Sequence, residues 1–383
     1  MQRLTAIAVC CACVFGTARA WAVDAIFANG FEPARWVQGY YVGYEHALYP
    51  IGEVDFSAVT HLMVGLVRPL ATGGLSHDYD IDDTNGPIWA HAAVNGAHAA
   101  GRKAILMLGG AGEINGWRAM ADTPDHRAAF VTSLLAVVDG YGYDGLDLDW
   151  EPLESGDEAN FIALAQALRT ARPGLILTVP LGWINSNFAG TPSPFLAQIA
   201  PLFDRVNIMT YDMAGAWDGW KSWHNSALFG ETGNTPSSVS SSVAYFLASG
   251  VPAAKLGVGS AFYGDCWHGV TAPGQDGGSI SSSDGTMSYA NIITNYYNPT
   301  PGARIWDATA HVPYLSSVAP LGSAGCTFVT YEDAQSLADK SAYARSQGIG
   351  GLIIWTISQG HLPSLPAGHR DPLLDAIRTG YLD

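Results

Sequence analysis

The sequence predicts an α/β chain: a (β/α)8 TIM barrel with a small α+β insertion between the seventh strand and the helix that follows it. Three observations predict it. Eight short apolar runs recur along the chain. Segments of helical period separate them. One interval, Tyr263 to Ala334, is roughly seventy residues long, too long for a single strand-to-helix connection.

The runs are Val37–Tyr44, Val59–Val67, Ala104–Leu108, Gly145–Trp150, Leu175–Val179, Val206–Tyr211, Leu256–Phe262 and Gly351–Trp355. They are nearly continuous in apolar residues, as strands are when both faces are buried, and such sheets are parallel and covered by helices. The covering segments include Arg127–Val138, Ala159–Thr170, Ser237–Ala248 and Ala334–Ser346. Eight repeats favour a closed barrel over an open doubly wound sheet. The open sheet also lacks its Gly-rich fingerprint: Gly109-Gly110-Ala111-Gly112 has no Lys-Ser/Thr and reads as a tight turn. The long interval starts with the Gly- and Ser-rich Thr271–Thr286 and continues through Met287–Tyr297 and Ala303–Tyr314, a mixture of strand-like and helix-like pieces. The expected organisation is a barrel of residues 36–264 and 334–383, an insertion of 265–333, and a linker over 23–35.

Residues 1–22 read as an export signal. Met1-Gln2-Arg3 is a basic start, Thr5–Phe15 is apolar but too short to span a membrane, and Ala18-Arg19-Ala20 or Ala20-Trp21-Ala22 fits a cleavage site. The protein is therefore expected outside the cytoplasm, extracellular or periplasmic, with no membrane attachment once the signal is removed. Cys10, Cys11 and Cys13 would leave with it. Cys266 and Cys326 remain, near the two ends of the insertion, and an oxidising compartment would join them as a disulfide.

Composition excludes some functions. The 383 residues hold 18 Lys and Arg against 34 Asp and Glu, a net charge of −16, and a surface this acidic repels nucleic-acid phosphates. At 48% hydrophobic residues the chain can bury a large core. Twelve Trp and 17 Tyr on a chain with only 14% charged residues suit stacking against flat, uncharged rings such as sugars. The motifs G-x-S-x-G, H-E-x-x-H and C-x-x-C are absent, and the Asp-rich His77–Asp83 reads as a solvated loop.

The most informative run is Asp144-Gly145-Leu146-Asp147-Leu148-Asp149-Trp150-Glu151. Side chains alternate across a strand, so Asp147, Asp149 and Glu151 share one face while Leu146, Leu148 and Trp150 share the other. In a barrel the acidic face points inward. Carboxylates this close cannot all ionise, so at least one holds a proton. Glu151, at the C-terminal end of the strand where barrel sites open, is the candidate general acid. A cation would want carboxylates converging from different segments. Neither a metal nor any other cofactor is expected.

This run resembles the D-x-x-D-x-D-x-E signature of glycoside hydrolase family 18, the chitinases. Val206–Gly215 with Met209-Thr210-Tyr211-Asp212, then Trp217-Asp218 and His224–Leu228, resemble that family's sixth strand and the loop after it. Ser249–Pro252 and Lys255–Gly264 resemble the seventh, Trp306-Asp307 and Val312-Pro313-Tyr314 the insertion, and Gly350–Trp355 the eighth. The resemblance implies a monomer that binds chitin and chito-oligosaccharides and cleaves them without an enzyme nucleophile. Glu151 protonates the glycosidic oxygen, Asp149 orients the substrate's acetamide and Asp147 holds the partner proton. Tyr211 bonds the acetamide, Asp212 contacts the distorted sugar beside Met209, and Trp355 forms the floor, with Tyr40, Tyr263 and Trp217 along the groove. Asp144 is read as structural.

Four positions depart from the family pattern. Met107 replaces a serine whose hydroxyl supports the lower aspartates, Ala111 replaces an aromatic, Asp265 replaces an arginine near the cleft, and Ser358 stands where an Asp is frequent. Two alternative functions remain open: an endo-N-acetylglucosaminidase acting on glycans or peptidoglycan, and a chitin-binding, lectin-like relative. The second typically lacks the terminal Glu of the signature, and Glu151 is present.

Overall fold

Eight strands close on themselves in a computed structural model that describes residues 35–383. The expected export signal and nearly all of the expected linker lie outside those residues. β1 (Trp36–Val42), β2 (His61–Val67), β3 (Lys103–Ala111), β4 (Gly145–Glu151), β5 (Ile176–Gly182), β6 (Arg205–Met209) and β7 (Leu256–Ala261) pair in parallel. A last strand, Gly351–Trp355, bonds to both β7 and β1 and completes the predicted barrel. The ring closes because these runs are buried on both faces, and a sheet with no edge leaves no backbone row unpaired.

Helices follow the strands: α1 (Asn85–Ala99), α2 (Ile114–Ala121), α3 (Pro124–Tyr141), α4 (Glu158–Ala171), α5 (Pro194–Ile199) and α6 (Val239–Ala248). Their ends are written locally. The Thr123 side chain accepts from the His126 N–H ahead of Pro124, and Gly142 ends α3 at φ 81°. Ser238 and Ser241 form a capping box on α6. α4 buries Phe161, Leu164, Ala165 and Leu168, one stripe at helical spacing. Two apolar cores result. The larger lies between strands and helices; the smaller fills the barrel with Trp36, Tyr40, Met63, Ile105, Met107 and Ile353.

Between β7 and α8 (Ala334–Ser346) the chain builds a second sheet from β8 (Asp265–His268), β9 (Ser279–Ser282), β10 (Arg304–Asp307), β11 (Val312–Leu321) and β12 (Cys326–Thr330). It is antiparallel in the order β10-β11-β12-β8-β9. A short helix, α7 (Tyr289–Asn291), runs on as a wider helical turn over 292–297. Cys266 on β8 and Cys326 on β12 form a disulfide across 60 residues. The closing barrel strand is therefore β13, and α9 (Pro372–Ile377) follows it. Among the described residues no helix is long and apolar enough to cross a membrane.

Candidate active site

The C-terminal ends of the barrel strands surround a cleft of about 430 Å³. β4 supplies its chemistry. Asp147 and Asp149 are buried and Glu151 is half-buried at the rim. The cleft is lined by Asp149, Glu151, Tyr40, Met209, Tyr211, Asp212, Tyr263 and Trp355 among others, so most of the residues singled out from the sequence converge. Tyr211 and Asp212 lie just past the end of β6, where Asp212 adopts φ 53° and its N–H donates to Asn225 Oδ1 at 2.5 Å. The Tyr263 hydroxyl donates to Asp212 Oδ1 at 2.7 Å. Tyr40 and Trp355 pack at a tilt with ring centroids 5.3 Å apart.

The carboxyls differ by depth. Asp147 is held from two sides: the Tyr40 hydroxyl donates to Oδ2 at 2.7 Å, and Thr178 of β5 donates to Oδ1. Burial pushes Asp147 up to about 6 against the pull of those donors. Asp149 is pushed further, first by burial, then by the charges of Glu151 and Asp147. Burial also raises Glu151, with a hydrogen bond from Asp149 pulling the other way. Sequence reasoning placed the proton on Glu151. Burial raises both Asp149 and Glu151, so the proton belongs to the pair. Asp149 Oδ1 is buried and has no hydrogen-bond partner among the described residues. Asp212, crowded by the cleft walls though still open to solvent, is raised to about 6 by that burial.

Close approach fixes the ladder's neighbour. Gly109 on β3 sits at φ 103°, and a Cβ there would lie 2.1 Å from the Asp149 carbonyl oxygen. The Gly109–Gly112 segment thus ends β3 beside the catalytic strand, with φ positive at Gly109, Gly110 and Gly112.

Several expectations change. Trp217 lies outside the cleft lining. Its ring folds back over Gly215, which has no side chain to block it, and stands 6.2 Å from Trp183, which does line the cleft. Asp265 lies outside the cleft lining. It is buried on β8 against Thr330 Oγ1, and burial, followed by the charges of Asp212 and Asp284, pushes its carboxyl well above the usual range. Ser358 is buried and outside the lining. Ala111 lines the cleft at the exposed end of β3.

Sequence reasoning missed Thr178, Trp183, Arg68 and Asp284. Trp183 directly follows β5, the same signal that marks Tyr263 after β7. Arg68 follows β2 and is held by Asp80 and Glu113. Asp284 lies in the Gly- and Ser-rich stretch read as plain loop, yet it reaches the cleft and accepts from Trp355 Nε1 at 3.3 Å and Gln359 Nε2 at 2.6 Å. No sequence signal marks it. Among the described residues no cluster of His, Cys, Asp and Glu is arranged to hold a metal ion.

Coupled carboxyls that hold a proton at the mouth of a barrel, walled by aromatic rings, equip an acid–base enzyme for carbohydrate. The chain belongs to glycosyl hydrolases family 18, whose family model matches residues 37–360. It is similar to Chitinase A1 of Niallia circulans, 31% identical over 290 residues, which cover 67% of this chain and 40% of that protein. It is also similar to Class V chitinase CHIT5 of Lotus japonicus, 28% identical over 81% of this chain and 80% of that protein. The chain thus spans about two-fifths of the first relative and four-fifths of the second. The crystal structure of Ostrinia furnacalis Group IV chitinase in complex with allosamidin superposes with a TM-score of 0.77 at 25% identity, covering 90% of this chain and 98% of that chain.

Proposed function

We propose that this protein is a secreted chitinase that hydrolyses the β-1,4 bonds between N-acetylglucosamine units with retention of configuration, using the substrate's own acetamide as nucleophile. Glu151 gives its proton to the glycosidic oxygen as the bond from that oxygen to C1 breaks. The acetamide oxygen of the sugar above Trp355 bonds to C1, forming an oxazolinium ion. Asp149 accepts the acetamide N–H and stabilises the positive charge. Water then adds to C1, its proton returns to Glu151, and the acetamide is restored. Tyr211 bonds the acetamide, Asp147 tunes Asp149, and Asp212 with Met209 contacts the distorted sugar. The family is a known exception to the two-carboxylate scheme for this reason. The relatives' names support chitin as the substrate, and the basic-then-apolar start of the chain supports export.

The observation that carries the mechanism is the unpartnered, buried Asp149 Oδ1 beside Glu151. An acceptor left dry at this depth costs free energy unless a ligand donor meets it. The test is hydrolysis of N-acetylated, de-N-acetylated and cello-oligosaccharides of equal length, with the first-formed anomer followed by proton NMR. The reading expects cleavage of the N-acetylated series alone, with the β-anomer appearing first. Cleavage of cello-oligosaccharides at a comparable rate, or an α-anomer first, would overturn it.

A further inference from the structure

Asp147 is fully buried, and each of its oxygens has one donor. β5 pairs with β4 so that Thr178 stands opposite Asp147, and the Thr178 hydroxyl serves Oδ1. Tyr40 of β1 serves Oδ2 at 2.7 Å. On the other flank of β4, the register places Met107 of β3 opposite Asp147. A thioether has no hydrogen to give. Thr178, Met107 and Asp147 are all shut off from solvent, so water cannot replace a missing donor.

We propose that Thr178 is a positioning residue of this enzyme: its hydroxyl fixes the Asp147 carboxyl and decides where the proton shared by Asp147, Asp149 and Glu151 resides. The resemblance to the family assigns such support to a hydroxyl on β3. Met107 removes it there, and Thr178 supplies it from the opposite neighbour. Two donors from different strands lock the carboxyl plane, and a β-branched side chain with few rotamers holds its hydroxyl in place at little entropic cost. The titratable groups facing Asp147 are Tyr40 from β1, Asp149 and Glu151 above it on β4, and Tyr211 beyond β6. β5 contributes none, and β3 only Lys103, which is engaged with Asp144. A donor to the ionised form favours ionisation, so Thr178 keeps Asp147 charged at a pH where burial alone would neutralise it, and the remaining proton stays on the Asp149–Glu151 pair.

This inference rests on the substrate-assisted reading, and its test separates the two. Thr178→Val keeps the shape and removes the hydroxyl. kcat and KM on a short chito-oligosaccharide are measured across pH for the wild type, Thr178→Val, Thr178→Ser and the double variant Met107→Ser/Thr178→Val, with Glu151→Gln alongside. The proposal expects kcat of Thr178→Val to fall about tenfold, the low end for a lost hydrogen bond to a charged group, with KM little changed. The acid limb of its pH profile should move to higher pH. Thr178→Ser should restore both, and the double variant should recover part of each. A wild-type kcat and pH profile in folded Thr178→Val, a loss of stability alone, or no rescue by Ser would overturn it. If Glu151→Gln is inactive while Thr178→Val is normal, only the role of Thr178 fails. If Glu151→Gln turns over normally, the mechanism itself fails.

Discussion

The two ends of β4 carry the same residue type in opposite electrostatic company. At the N-terminal end, just before the strand, Asp144 accepts from Lys103 Nζ at 2.6 Å and the Ala104 N–H at 2.9 Å, and it meets His98 Nε2 at 2.8 Å. Partial burial works against ionisation, but those partners outweigh it and hold the carboxyl below its ordinary range. Toward the C-terminal end, no cation among the described residues pairs with Asp147, Asp149 or Glu151, and burial raises all three. The lower carboxylate is stabilising because it is paired. The upper ones are destabilising and reactive because they are not. A strand that reads as one acidic run therefore divides into an anchor and a proton store.

The largest expected effect lies at the upper end. Glu151→Gln should lower kcat by roughly 10²–10⁴, the range of a positioned acid, while its melting temperature stays close to wild type. Single-turnover kinetics with a poor leaving group measure this, and near-normal turnover would erase the functional contrast. Asp149→Asn should be comparably damaging, although its shape is unchanged.

A lesion remote from both ends sharpens the comparison. Replacing Cys266 and Cys326 by Ser opens a loop of 60 residues, which in the chain-entropy model is worth roughly 4 kcal/mol of stability. Thermal unfolding should show the loss, while kcat on a short oligomer measured well below the new Tm should stay near wild type. Weaker binding of long oligomers would extend the effect to one wall of the cleft.

The next test reverses the usual sign. Asp147 is raised from 3.8 to about 6, so the folded state holds its proton more tightly than the unfolded chain. Stability is then lost as pH rises between roughly 4 and 6. Asp147→Asn should be more stable than wild type at pH 7.5, with a gain that shrinks at pH 4.5, and less active throughout. Urea midpoints at the two pH values measure it.

The smallest effect belongs to the lower end. Asp144→Asn should leave kcat unchanged and cost about 1 kcal/mol at pH 7, as expected for a partly exposed ion pair. Asp144 is depressed in the folded state, so its contribution is present above the unfolded pKa and fades as pH falls through the folded one. The stability difference from wild type should therefore close at acid pH.

What could be read in advance follows the range of the interactions. Alternation along β4 is local, so the shared face of Asp147, Asp149 and Glu151 is legible from eight consecutive residues. Tyr263 and Trp355 are legible for a similar reason, as aromatics at strand ends. The support of Asp147 by Thr178 is not, because it depends on the register between β4 and β5, and a Thr within a strand looks like any other β-branched residue. Asp284 is hidden in a loop whose composition says only that it turns. The exact place of Trp217 is not legible because loop geometry, unlike strand alternation, leaves no period: its ring stands beside Trp183, which lines the cleft. The burial of Asp265 is equally hidden, because sequence shows a residue's type and not its depth.

The contrast between the two ends of β4 is tested most directly by a carboxyl ¹³C NMR titration of the folded protein labelled at Asp and Glu. The account predicts that Asp144 ionises below the ordinary Asp range, while Asp147 titrates near 6 and both Asp149 and Glu151 titrate above the ordinary carboxyl range. Ionisation of all four carboxyls together within the ordinary range would contradict it.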